Sequence, residues 1–258
     1  MPNVTNPDDT RRTLPVLHAP IDAISCEGAV ARIASWAAAG ASRVVCICNA
    51  HSVVTAEQDA GFLRAIVSAD MATPDGAPVA WMLRRQGVTG QSRVSGPDLM
   101  LDYCAYATRV GEPIFLYGST EQTLQALRER LGQRWPGLQI AGALSPPFRP
   151  LSEAEDSAIV AAINASGART VWVSLGCPKQ ELWMQAHRGR VQAVMVGVGA
   201  AFDFHAGTLA RAPRWMQDHG LEWLHRLGTE PARLWRRYLF TNTAFVFGAA
   251  RQLISTRR

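Results

Sequence analysis

Two rhythms of apolar and polar positions alternate along this chain. Short apolar runs rich in β-branched residues recur as RVVCICNA (43–50), PIFLYGS (113–119), LQIAGAL (138–144), TVWVSLG (170–176) and AVMVGVGAAF (193–202). Between most of them lie stretches with helical spacing, among them TLQALRERLGQRW and LSEAEDSAIVAAINASG. The latter opens with Ser152, carries Glu155 three residues on as a capping box, and closes at Gly167. Strand runs that alternate with helices predict βα units and an α/β, Rossmann-like, mainly parallel sheet flanked by helices. The near-continuous apolar strands agree, because both faces of such a sheet are covered. The segment ATPDGAPVAW (72–81) is expected to be a loop joining two helical patterns, and SPPFRPLS (145–152) reads as a Pro-rich surface loop. Three spans follow: a flexible N-terminus (1–15), an α/β catalytic domain (16–210) and a basic, aromatic-rich helical appendage (211–258).

In open α/β sheets ligands bind outside the carboxyl ends of the strands, so the turns after each run are the informative ones. They read NAHS, GST, GCPKQE and GAAFDFHAG. Gly118 and Ser119 turn from strand to helix, where free backbone N–H groups can hold a phosphate. The run GVGAAF lacks the third glycine of a dinucleotide fingerprint, and no P-loop exists. That weighs against a nicotinamide-dependent oxidoreductase. Asp203 follows an apolar strand, which fits a pocket position as well as a structural one. Asp75 lies between Pro74 and Gly76, a turn composition that leaves a backbone-bonding role and a chemical role equally open. Asp98 suits the first turn of a helix. His51, His187, His205, His219 and His225 are scattered with no paired metal spacing, and G-x-S-x-G is absent. No metal and no cofactor are expected.

Composition narrows the class. Hydrophobic residues make up 48% of the 258 positions and the mean hydropathy is −0.02, as in a soluble globular protein. The polar opening MPNVTNPDDTRRTLP is no secretory signal, and no run reaches the roughly 18 apolar residues of a spanning helix. Five cysteines form no CxxC; Cys46 and Cys48 point the same way on one strand. Buried reduced thiols and a cytoplasmic location are expected. Charge is uneven: from Arg211 onward nine Arg face Asp218, Glu222 and Glu230, so within a net +5 the first 210 residues come to −1. The tail, not the whole chain, should meet something anionic. Lys179 is the only lysine.

The motifs CNAHSV, ADMATPDGAPVAW, RVSGPDLM, FLYGS, SLGCPKQELWM, GVGAAFDFHAG and RAPRWMQDHGLEWLHRLGTEPARLWRRYL run in order from about residue 43 to 240. As a series they resemble the WecG/TagA/CpsF family of bacterial glycosyltransferases, which build cell-surface polysaccharides and teichoic-acid linkage units. The resemblance implies inverting transfer of a sugar from a UDP-sugar to a lipid-linked diphosphate acceptor, without an essential metal. By motif, Asp75 corresponds to the family's proposed general base, a role inversion requires. Arg93 corresponds to an arginine serving the leaving diphosphate. Asn49, Gly76 and Gln180 fall at pocket positions, with Lys179 adding charge near phosphate and Glu181 orienting a neighbour. The family often has Thr where this chain has Ile47, so a glucose-type or N-acetylmannosamine-type donor both stay open.

The appendage interleaves Arg211, Arg214, Arg226, Arg233, Arg236 and Arg237 with Trp215, Trp223, Trp235, Tyr238 and Phe240. Leu234, Trp235, Tyr238 and Leu239 share a helix face. Such a helix suits the anionic inner leaflet of the cell membrane, giving a peripheral, cytoplasmic-side attachment. No nucleic-acid recognition module accompanies it. In the family this segment supplies arginines that close the site, and Arg226 and Arg233 are the candidates here. The expected partners are a UDP-sugar, a polyprenyl-diphosphate-linked (undecaprenyl-type) saccharide and that membrane surface. Homo-oligomerisation is left open. A second function class, a non-catalytic nucleotide-binding scaffold on the membrane, would bind UDP without turnover.

Overall fold

The chain opens with an antiparallel hairpin, β1 (Thr13–Val16) and β2 (Ala19–Asp22). Then come α1 (Cys26–Ala38), β3 (Arg43–Cys48), α2 (Ala50–Gln58), α3 (Ala60–Ser68), β4 (Met71–Pro74) and α4 (Gly76–Arg85). The middle of the chain forms α5 (Gly96–Val110), β5 (Ile114–Gly118), α6 (Glu121–Arg134), β6 (Ile140–Leu144) and α7 (Glu153–Ala165). It continues with β7 (Thr170–Ser174), α8 (Lys179–His187), β8 (Val194–Gly197), α9 (Ala201–Ala206), α10 (Arg214–Asp218), α11 (Glu222–Thr229) and α12 (Pro231–Ser255). This computed structural model describes residues 11–255, with the Arg233 side chain left out of the description.

Six strands form one parallel sheet in the order β4-β3-β8-β7-β5-β6. The α/β architecture with a helical C-terminal appendage is the one the alternating runs predict. The capping box at Ser152 and Glu155 is present, and Gly167 follows the helix with φ +71°. Two local expectations are corrected. Residues 72–81, read as one loop, are the end of the edge strand β4 and, from Gly76, the start of α4; the four buried residues of β4, ending in proline, are too short to show a period. The run 193–202 is strand only to Gly197, and Ala201 already starts a helix. Part of the N-terminal span, Thr13–Pro15, lies in the hairpin; residues 1–10 fall outside the described residues.

Side chains of each strand alternate between two cores. Val44, Cys46 and Cys48 join Val53, Phe62, Met82, Ile159 and Met184 on one face. Val45 and Ile47 join Ile33, Leu99, Leu124 and Phe202 on the other. All five cysteines are free, with Cys46 and Cys48 buried in the same core. Of two neighbouring strands, β3 continues into α2 on the first face and β8 into α9 on the second. A crevice must open at their carboxyl ends where the helices diverge.

The appendage is docked, not trailing. Leu234, Thr241, Phe245 and Ala249 lie on one face of α12 and are buried. That face meets α2 and the hairpin, where Gln252 accepts from Leu17 N at 2.8 Å and donates to Pro15 O at 2.7 Å. Burial of Leu234 and Phe245 stabilises docking by about 1.5–3 kcal/mol each. A Cβ on Gly248 would stand 2.3 Å from Leu17 Cδ2, so a larger residue here would require the Leu17 side chain to shift.

Candidate functional site

The crevice holds a cleft of about 310 Å³, lined by the ends of β3, β4 and β8 and closed over by α11 and α12. Four helices of nine residues or more begin at it. Ala50 and His51 open α2, Gly76 and Ala77 open α4, Gly96 and Pro97 open α5, and Gln180 stands in the first turn of α8. Their free N–H groups and aligned dipoles give the cleft a positive bias before any side chain is counted.

Asp75 is the N-cap residue of α4, yet its side chain makes no cap hydrogen bond. Its own N–H bonds Cys48 O at 3.0 Å, which extends the β3–β4 register and fixes the residue at the strand ends. Asn49 caps α2 through Oδ1, which accepts from Ser52 N at 3.1 Å, and its amide bonds the Asp75 carboxylate. Desolvation, then the nearby Glu222 charge, pushes Asp75 up to about 6, against the pull of Arg93, Asn49 and the Gly76 N–H. Arg93 reaches the cleft from the loop before α5, donating to Glu222 Oε2 at 3.1 Å and to Gln217 Oε1 at 3.0 Å.

The turn GCPKQE builds the opposite wall. Gln180 is buried; its Oε1 accepts from Gly199 N at 3.0 Å and its Nε2 donates to Glu181 Oε1 at 2.9 Å. Gln180 lines the cleft as expected, and its amide also braces the β8–α9 turn. Glu181, 1% exposed, leaves Oε2 without a hydrogen-bond partner of normal geometry, beside the weakly donating Cys177 thiol. Burial pushes its carboxyl up to about 7. Lys179 is exposed and does not line the cleft.

The appendage contributes the cations. Arg226 lines the cleft, pairs with Glu230 at 3.3 Å and lies 5.8 Å from the centre of the Phe204 ring. Arg237 lines it too, with a buried, unpartnered Nε and its guanidinium over Tyr238. Burial and the Arg237 charge hold His51 down at about 4, so this imidazole is neutral at pH 7. The Arg233 side chain lies outside the described residues.

Besides Lys179, three sequence candidates stand elsewhere. Gly118 has φ +116°, and a Cβ there would lie 2.3 Å from Ser174 O. The Ser119 N–H donates to that same carbonyl at 2.9 Å, so this turn serves close strand packing instead of holding a phosphate in the cleft. Asp203 accepts from Thr208 and Leu209 at the end of α9 and is not part of the lining. Sequence reasoning missed Glu222, Arg237 and Thr241 as lining residues. A first-turn acid and one arginine among many carry no mark of a cleft, and only the docking of α11 and α12 brings them there. Among the described residues, no group of three or more His, Cys, Asp or Glu is placed to hold a metal ion.

A family model described as glycosyl transferase WecG/TagA/CpsF matches residues 14–258, nearly the whole length and every element that lines the cleft. The chain therefore belongs to the WecG/TagA/CpsF family of glycosyltransferases.

Proposed function

We propose that the protein transfers a sugar, with inversion, from a UDP-sugar to a hydroxyl of a polyprenyl-diphosphate-linked saccharide in cell-surface polysaccharide assembly. The observation that carries this reading is the uncapped Asp75 carboxylate in a cleft bordered by four helix N-termini and by Arg93, Arg226 and Arg237. Asp75 accepts the proton of the acceptor hydroxyl as that oxygen attacks the anomeric carbon. The bond from that carbon to the diphosphate breaks on the opposite face, and UDP leaves with the electron pair. Its growing charge falls to Arg237 and Arg226 together with the N–H groups of α2 and α5. A base near 6 is ionised at neutral pH while still able to hold a proton in the transition state.

The lipid side of the acceptor fits the outer face of the appendage. Leu239, Phe240, Val246, Phe247 and Ile254 are exposed on α12, with Trp215 exposed on α10 nearby in sequence and Arg214 and Arg236 among them. Such a face suits the headgroup depth of an anionic inner leaflet. Among the described residues no helix is long and apolar enough to cross a membrane. UDP release from UDP-glucose and UDP-N-acetylmannosamine, with a polyprenyl-diphosphate saccharide in anionic vesicles, tests the reaction. Asp75→Asn should lower kcat by about 10²–10⁴. Full activity in that variant, or UDP binding without any turnover, defeats the proposal.

A further inference from the structure

Glu222 is the first residue of α11, and its carboxylate lies on the wall of the cleft. Oε2 takes Arg93 Nη1 at 3.1 Å, while Oε1 stands 3.7 Å from Arg211 Nε. Arg93 gives its other terminal nitrogen to Gln217 at 3.0 Å. Arg211 is itself anchored to the catalytic domain by two bonds to Asp98, at 2.7 and 2.9 Å. Arg93 belongs to the α/β domain, yet both its hydrogen bonds go to acceptors beyond residue 211.

An unpaired guanidinium beside a desolvated carboxylate lowers that acid's pKa by about 1–3 units. A carboxylate paired with that guanidinium offsets part of the effect, as Glu222 does for Asp75 against Arg93. Asp75 is faced by Arg93 from the α4–α5 loop, Arg211 from the segment before α10 and Glu222 from α11. Asn49 at the start of α2, the Gly76 N–H of α4 and Cys48 of β3 complete its surroundings. Asp98 of α5 also stands 3.5 Å from Arg93 Nη2, but its two short bonds go to Arg211, so Glu222 holds the shorter of the two ion pairs of Arg93.

We propose that Glu222 is a positioning residue of the transfer reaction: by pairing Arg93 it keeps that guanidinium from weakening Asp75 as a base. This rests on Asp75 being the base. Dependence on pH separates the two claims, with kcat/KM profiles measured on the full chain in anionic vesicles. In Glu222→Gln the acid limb should move down by about one pH unit with a several-fold lower kcat. In Glu222→Asp, which keeps the charge, the limb should stay in place. An unmoved limb in a folded Glu222→Gln variant, or equal shifts in both variants, overturns the proposal. Activity surviving in Asp75→Asn overturns the base reading instead. Should Glu222→Gln not fold by circular dichroism, Arg93→Gln carries the test: its limb should move up, and an unmoved limb again overturns the role of Glu222.

Discussion

The side-chain oxygen of Gln180 accepts the backbone N–H of Gly199 at 3.0 Å, tying the start of α8 to the turn after β8. The contact is tight. A Cβ on Gly197 would lie 2.7 Å from Met184 Cε and 3.0 Å from Gln180 Nε2. Gln180→Leu leaves the Gly199 N–H unpaired, at a cost of about 1–3 kcal/mol. Urea unfolding should show that loss, and transfer activity should fall with it because the cleft wall moves. Unchanged stability would mean that water replaces the amide.

Glu181 makes stability fall as pH rises. Its carboxyl ionises near 4.5 when unfolded and near 7 when folded. Below the lower value both states hold the proton and nothing is lost; between the two the native state binds more protons, so each step up in pH favours unfolding. The penalty is complete above the folded value and amounts to roughly 3 kcal/mol. Glu181→Gln should therefore be more stable than the parent at pH 8 and equal to it at pH 4. Urea midpoints at both values check this, and a constant difference across pH would refute it.

Arg237 should govern nucleotide affinity. Removing a charge-assisted bond to a diphosphate costs about 1.5–3 kcal/mol, or tenfold and more in Kd. Arg237→Met should show that loss by calorimetry with UDP. In the same variant the His51 imidazole should titrate above its present value of about 4, which NMR of the ring protons reads directly. Unaltered UDP binding would remove Arg237 from the ligand.

Gly118→Ala should be far more damaging than Gly167→Ala. Both glycines have positive φ, but the added methyl at Gly118 meets Ser174 O at 2.3 Å while that at Gly167 meets open space. A cost of about 1 kcal/mol is expected at Gly167, and loss of soluble, folded protein at Gly118. Thermal unfolding of the two variants gives the comparison.

Phe240 and Phe247 are 74% and 72% exposed, and they lie on the side of α12 opposite its buried face. Replacing both with Glu should leave the fold intact yet abolish co-sedimentation with anionic vesicles. Unaltered co-sedimentation would show that this surface does not meet lipid.

The sequence by itself determined the elements long enough to repeat a pattern. Its apolar runs, Ser152 with Glu155, and the turns after the strands carry local physics, so the parallel sheet and the rim at Asn49 and Gln180 were legible, while Asp75 was marked only by the family resemblance. Met71–Pro74 was not, because four buried residues hold no period. Tertiary structure decided the rest. It turned Gln180 inward to Gly199, moved Gly118, Ser119 and Asp203 out of the cleft, and folded α11 and α12 over it. Glu222 stands 129 residues from Arg93 in sequence. Which acid neutralises which base over that separation depends on how helices pack, and no local spacing encodes it.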